Sequence, residues 1–515
     1  MRAGGVARSD EGAPESGEAH RLASGALLQQ LAQGFGLVVL LAVVTVLARR
    51  LSVAELGAYG LVASLSGYML VLRNSVASSA VRAMAAVLDP GERNRMFSAA
   101  ALLYLGVGLA TGVLIAAASL AIAATILEGS LAADARAGGV GLGAVTGAGI
   151  AASVWLDAIR AERLFVRGAL TEILGVALHL TLMMSLIFGG ADLAVVIALS
   201  GAMPLWSGAL SAIVVRRSGL PIRFRPGSVS RERAGAIAPT AGWLLVVELS
   251  NLAMYASGRV ILGAYRSPSS VGLFEGPVRA HNLFYALGGA LAVPVVPTAS
   301  RYMAEDDSRR LRELVLRGTR YTLALFVPVC VTLMALAEPI LAVWLGERYS
   351  EGAGALTILV SYWLLYGGLV VTPGFLVGAG RAREVALITL AAAAGNLTLA
   401  LVLTPELGLE GVALATAVPF LVAFPLMLRL GLGASGARLG ELARSAWLPV
   451  YAPAAALAGA LVALRLALDP ESLPAVLGLA AGGLGCFWAL VYARVLDAGE
   501  KALVLGLLSG RGRAR

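Results

Sequence analysis

Glu248, Asn251 and Arg259 stand three and then eight residues apart in one long apolar stretch, and Glu275, Arg279, His281 and Asn282 crowd into the next. On an α-helix the first three share a face, and the acid-before-base order of Glu275 and Arg279, four residues apart, suits a pair within one helix. An ionisable side chain at membrane depth costs roughly a few kcal/mol or more, so it meets a partner or a wet cavity. Two readings are open. In one, Glu275 and Arg279 neutralise each other near the headgroups and Arg259 stretches its charged end to the interface. In the other, Arg259 and Arg279, with Asn251 and Asn282, line a cationic cavity, where guanidinium forks grip phosphate oxygens in bidentate fashion and an anionic ligand offsets their desolvation. Arg73 and Arg82 carry the same two readings into the amino-terminal half, as cavity arginines or as anchors at the membrane surface. Glu172, Glu248 and Glu275 are candidates to carry coupling protons, a role open to a carboxylate held out of water. His179 reads as a packing residue rather than a proton relay, and Glu338, beside Pro339, as a helix cap or kink.

The elements that must position these residues are membrane helices. Of 515 residues 58% are hydrophobic and only 14% charged, and the mean hydropathy of +0.83 lies far outside the soluble range. A helix crossing hydrocarbon needs about 20 apolar residues, and only helices or closed barrels satisfy their backbone groups there. The runs here lack the alternation of a barrel. Fourteen spans are predicted, at 26–48, 54–72, 96–126, 138–157, 168–189, 192–214, 236–262, 274–299, 320–345, 354–379, 384–404, 409–428, 447–467 and 473–493. The expected fold is all-α, a polytopic membrane protein of two six-helix lobes plus two carboxy-terminal helices. Residues 1–22 read as a disordered cytoplasmic arm, with no small-residue cleavage site behind the first span. Lobes are expected at 23–214 and 236–430, joined by a basic cytoplasmic linker at 215–235, with two additional helices in 431–495 and a basic cytoplasmic tail at 496–515.

Alternate loops differ sharply in charge. With the amino terminus in the cytoplasm, 32 of the 40 basic residues fall on the inner side, which is the positive-inside pattern and puts both termini in the cytoplasm. The exceptions are Arg49, Arg50, Arg136, Arg266, Arg348 and Arg465, with Arg259 and Arg279 inside spans. The net charge of +9 then reports topology and contact with anionic membrane lipids, not a nucleic-acid partner. Cys330 and Cys486 both fall in apolar spans, which excludes a disulfide framework or zinc spacing. Gly139, Gly143 and Gly147 repeat every four residues and let helices approach closely. Pro294, Pro297, Pro328 and Pro373 interrupt spans and let helices bend.

A short pattern occurs twice. Ser52, Gly57 and Tyr59 repeat the spacing of Ser267, Gly272 and Phe274, each set lying between the first and second helices of a six-helix group. Duplicated halves flanking a site at the bilayer midplane are common transporter architecture.

The stretch Leu47 to Tyr59 (LARRLSVAELGAY) resembles the opening pattern of bacterial polysaccharide flippases, of the O-antigen and teichoic acid type, in the multidrug, oligosaccharidyl-lipid and polysaccharide exporter superfamily. Further motifs follow in that family's order: Arg259 to Gly263, Val271 to Phe274, Val278 to Ala280, Val293 to Arg301, Pro328, Gly346 to Tyr349, Gly380 to Arg383, Asn396 to Leu399 and Gly408 to Ala413. The resemblance covers most of residues 26–430. One departure stands out: Gly258 precedes Arg259, where the family often has an acidic residue.

The resemblance implies a flippase in the bacterial inner membrane that moves a polyprenyl-diphosphate-linked glycan outward, with membrane lipids, glycosyltransferases and a polysaccharide polymerase as partners and no cofactor. Three other classes compete. An enzyme that polymerises or ligates sugar chains calls for a large outer loop, and the longest outer connection here is about a dozen residues. A cation-coupled multidrug exporter of the same superfamily would carry acidic rather than arginine-lined walls. A purely structural membrane protein has no use for polar stripes inside its spans.

Overall fold

The structure, a computed structural model, describes residues 34–36, 38–39, 41–87, 89–220, 222–224, 242–292 and 294–502. The amino-terminal arm, most of the basic linker and the end of the basic tail lie outside the described residues. Those described are helical almost throughout, because a chain this apolar must satisfy its backbone groups within each segment. Nine helices among the described residues are long and apolar enough to cross a membrane, ten if one pair bent by 51° counts as a span.

The chain divides into two compact units, residues 1–46 with 62–240 and residues 47–61 with 241–515. The first contains most of α1 (Val53–Ala85), then α2 (Pro90–Thr125), α3 (Gly129–Ala152), α4 (Val154–Ala161), α5 (Phe165–Phe188), α6 (Leu193–Ser200) and α7 (Met203–Arg217). The predicted glycine spacing lies at the α2–α3 contact. A Cβ on Gly143 would come 2.4 Å from Gly112 O, one on Gly147 2.6 Å from Gly108 O, and one on Gly139 2.1 Å from Ser119 Cβ. Only residues without side chains allow two backbones so close. Phe97, Tyr104, Ala158, Ile159 and Val215 form the adjoining core.

The second unit contains α8 (Gly242–Tyr265), α9 (Pro268–Ala292), α10 (Val295–Ala304), α11 (Ser308–Ala335), α12 (Ala337–Leu345), α13 (Ala353–Ser361), α14 (Trp363–Tyr366), α15 (Thr372–Gly378), α16 (Ala382–Leu407), α17 (Leu409–Ser435), α18 (Leu439–Leu442), α19 (Leu448–Leu468) and α20 (Leu473–Arg494). Leu323, Val327, Val450, Leu457 and Phe487 join α19 and α20 to α11.

Several helices differ from the predicted spans, for a common reason: hydropathy marks the stretch in hydrocarbon, whereas the helix runs on until a cap or break ends it. The segment predicted at 54–72 continues to Ala85, so Arg73 and Arg82 lie on a helix rather than a loop. The segment predicted at 320–345 begins at Ser308, where the Asp307 carboxylate accepts from Arg310 N, and breaks at Leu336. That predicted at 274–299 stops at Ala292. That predicted at 354–379 is divided into α13, α14, a 3₁₀ turn at Gly367–Leu369 and α15, with Pro373 in the first turn of the last.

Candidate functional site

In the second unit α8 and α9 bring three ionised groups together. Glu275 is fully buried and accepts from Arg259 Nε at 2.6 Å through Oε1 and from Arg279 Nε at 3.0 Å through Oε2. Arg259 is 3% exposed and Arg279 12%, so neither stretches out to the interface. The nearest backbone makes room for the acid: a Cβ on Gly60 of α1 would lie 2.4 Å from Glu275 Oε1. Two guanidiniums on one carboxylate carry a net charge of +1. Arg259 is held deep in the unit, while Arg279 presents terminal nitrogens that have no hydrogen-bond partner among the described residues. A planar guanidinium with its outer edge available suits bidentate binding of an oxyanion.

His281, one helical turn after Val278, is 1% exposed, and its Nε2 lies 2.6 Å from Tyr362 Oη. Arg259 and His281, with Gly258, Phe274 and Thr416, line a cleft of about 20 Å³, room for about one water molecule. A larger cavity of about 200 Å³ is lined by Asn251, Tyr285, Trp363, Tyr366, Thr389 and Phe420 among others. Its aromatic wall is tightly stacked, with Tyr362 on Phe420 at 4.8 Å and 2°, and Trp363 on Phe326 at 5.4 Å and 8°. Asn251 and Arg259 therefore line different hollows although they share a helix face. Asn282 is half-buried beside His281. Glu248 belongs to α8, but its side chain lies outside the described residues.

The first unit holds a second ionic cluster, centred on Asp157 of α4. This fully buried carboxylate accepts from Arg73 Nη2 at 2.6 Å, Tyr104 Oη at 2.7 Å and Arg160 Nη1 at 3.0 Å. Arg160 also reaches Glu172 at 2.9 Å, and Arg73 Nε donates to Ser153 at 3.1 Å. Arg73 and Glu172 are thus bound into one network, whereas Arg82 is exposed and donates to Ser79 Oγ at 3.3 Å. His179 is half-buried. In the second unit, Glu338 lies in the first turn of α12 and pairs with Arg465.

Sequence reasoning missed Asp157, and it missed Tyr362, Trp363 and Tyr366. The signal for the first was present: Asp157 and Arg160 are three apart within an apolar run, the same warrant that singled out Glu275 and Arg279. The aromatic residues gave no polar signal.

A family model described as polysaccharide biosynthesis protein matches residues 46–353. The probable low-salt glycan biosynthesis flippase Agl15 of Haloferax volcanii is 22% identical over 162 residues, 32% of this chain and 34% of that protein. The chain spans about a third of the length of that curated relative. Among solved structures, the lipid II flippase MurJ in an inward closed conformation gives a TM-score of 0.69 at 14% identity, covering 92% of this chain and 100% of that one. An inward-facing multidrug resistance MATE family transporter of the MOP superfamily gives 0.68 at 16% identity, covering 80% and 98%. At such identities the likeness speaks for the fold alone, the all-helical membrane fold that these two proteins share.

Proposed function

The chain belongs to the polysaccharide biosynthesis protein family, and from that premise we propose that it is a flippase carrying a polyprenyl-diphosphate-linked oligosaccharide from the cytoplasmic to the outer leaflet. On this reading it crosses a bacterial inner membrane fourteen times, with both termini in the cytoplasm, as two six-helix lobes and a carboxy-terminal pair. Rocking of the lobes then exposes the headgroup to the far side. Glycosyltransferases supply the substrate and a polymerase consumes it on the far side.

The observation that carries the reading is the surplus charge at Glu275. A neutral Arg259–Glu275 pair would suffice for stability, and a second arginine placed out of water destabilises the unit unless an anion completes it. A diphosphate does so: its oxygens match the outer edge of Arg279, and a guanidinium is less strongly hydrated than an ammonium and gives up water more readily. The multidrug alternative calls for acidic walls at this place, where the described carboxylate, Glu275, is paired with two arginines.

Arg279→Ala separates transport from folding, because it leaves Arg259 and Glu275 as a neutral pair. In a deletion strain that needs this chain for surface polysaccharide, the variant is expected to insert and melt like the wild type and to lose export. Arg279→Lys, a point charge without the fork, is expected to retain partial export. Wild-type export by Arg279→Ala refutes the assignment.

A further inference from the structure

Where α5 meets α7 in the first unit, three buried polar atoms have no hydrogen-bond partner among the described residues: Glu172 Oε2 and His179 Nδ1 on α5, and Ser207 Oγ on α7. Ten such atoms occur among the described residues, so nearly a third of them fall on this one contact. Glu172, Gly175 and His179 follow one another at three and four residues, hence on one face of α5. A Cβ on Gly175 would lie 2.2 Å from Ser207 Oγ. The hydroxyl therefore sits over the glycine, between the acid and the imidazole, about one helical turn or 5 Å along α5 from the level of each. Side chains as long as these cover such a gap directly or through one water.

The surroundings of the strip are mostly uncharged. α5 packs on α4, α6 and α7. From α4, Arg160 pairs at 2.9 Å with the other oxygen of Glu172, Oε1, and ties it to Asp157 and so to Arg73 and Tyr104. α6 carries no titratable residue, and Asp192 before it is exposed. α7 carries Arg216 and Arg217, both exposed in its last turn, and Arg167 of α5 is exposed and donates to Ser218 Oγ. The side chains of Arg160 and Glu172 are 23% and 21% exposed, so the acid end of the strip reaches the surface of the unit. A buried donor or acceptor left unpaired lowers stability, and here three lie in a row, of kinds that both take up and give up a proton. Packing alone accounts for the His179 ring but not for its Nδ1.

We infer that the α5–α7 strip is a proton path, with His179 and Glu172 as its ends and Ser207 as the link. A proton arriving at His179 Nε2 is matched by loss of the Nδ1 proton to Ser207 Oγ, whose own proton passes to Glu172 Oε2. The carboxylic acid so formed loosens its hold on Arg160 and gives the proton up to water at its exposed side. Turning of the imidazole and the hydroxyl resets the strip, and the net result is one proton moved along α5. The path adds an energy source to the function proposed above, and only this use of it rests on that reading.

Hydrogen exchange at the imidazole, read by NMR on the purified full-length protein with labelled histidine, tests the path by itself. The chain has three histidines, His20, His179 and His281, and His179→Asn identifies the signal. Ser207→Ala removes the hydroxyl without adding bulk over Gly175, and Glu172→Gln keeps the size of the acid and removes its charge. Each is expected to slow exchange of the His179 Nδ1 proton about tenfold or more, with Ser207→Ala melting like the wild type. Exchange at the wild-type rate in Ser207→Ala overturns the path. Export of surface polysaccharide in the deletion strain tests the use. Wild-type export is expected to rise as the medium is acidified, since protons moving inward drive it, and His179→Asn and Glu172→Gln are expected to lose that response. The same response in both variants overturns the coupling and leaves the flippase standing. A chain that supports no export yet shows the Ser207-dependent exchange refutes the proposed function and leaves the path standing.

Discussion

Glu275 is the residue on which two helices agree. Burying a carboxylate is unfavourable unless its charge is met, and here both oxygens are met by different arginines. Glu275→Gln removes the carboxylate that Arg259 and Arg279 share, leaving Arg259 cationic at 3% exposure. The variant is expected to lose about 3–5 kcal/mol of stability, seen as a large fall in melting temperature in detergent. The double variant Glu275→Gln with Arg259→Gln, which removes acid and deep base together, is expected to recover most of that loss. A single variant that melts like the wild type would sink the idea that this carboxylate holds the site together. Half of the cluster was legible in the sequence: the four-residue spacing put Arg279 within reach of Glu275. The other half was not, because Arg259 is sixteen residues from Glu275 and on another helix. Periodicity tells which residues share a face; it does not tell which helix that face meets.

At the scale of elements, the twice-occurring pattern has a physical meaning in the second unit, where its two copies pack on each other. A Cβ on Gly57 would come 1.7 Å from Pro268 O, and one on Gly272 would come 2.0 Å from Val53 O. Pro268 and Val53 occupy equivalent places, each directly after the serine of its copy, so the contact is nearly symmetric. The serines start the helices: Ser52 Oγ accepts from Glu55 N at 3.2 Å while Glu55 Oε2 accepts from Ser52 N at 2.7 Å, and Ser267 Oγ accepts from Ser270 N at 3.2 Å. The aromatic members, Tyr59 and Phe274, are buried at 5% and 2%. The spacing was visible in the sequence, but a repeat says only that two segments are alike, not that they touch. Gly57→Ala and Gly272→Ala each force a backbone to move, and each is expected to cost about 1–3 kcal/mol or more. Gly106→Ala is the matched control. It is helical and open to its surroundings, with nothing within 4 Å of a new Cβ, so it is expected to melt at or above the wild-type temperature. Equal melting of all three would show that the crossing is not tight.

For the whole molecule the informative quantity is where arginine is missing. A chain with 39 arginines and one lysine is expected to place most of them on alternate loops, and four of the six outer-side exceptions have local work. Arg49 donates to Val343 O at 2.7 Å, Arg348 to Ala48 O at 2.8 Å, Arg266 to Glu406 O at 2.7 Å and Arg465 to Ala335 O at 3.2 Å. All four acceptors belong to the last turn of a helix, where unpaired carbonyls and the negative end of the helix dipole favour a cation. These four arginines therefore do not count against the expected charge asymmetry: they answer to helix ends. An even number of crossings returns the carboxy terminus to the side of the amino terminus, so a single set of labels reads both count and orientation. In a background without Cys330 and Cys486, Glu128→Cys and Glu471→Cys are expected to react with a membrane-impermeant maleimide on intact cells, and Asp306→Cys only after lysis. All three positions are exposed, so silence at one of them reflects the side it faces rather than burial. Labelling of Asp306→Cys on intact cells, with Glu128→Cys protected, would invert the orientation. Labelling of Glu128→Cys without Glu471→Cys would mean that the helices between them cross the membrane an odd number of times.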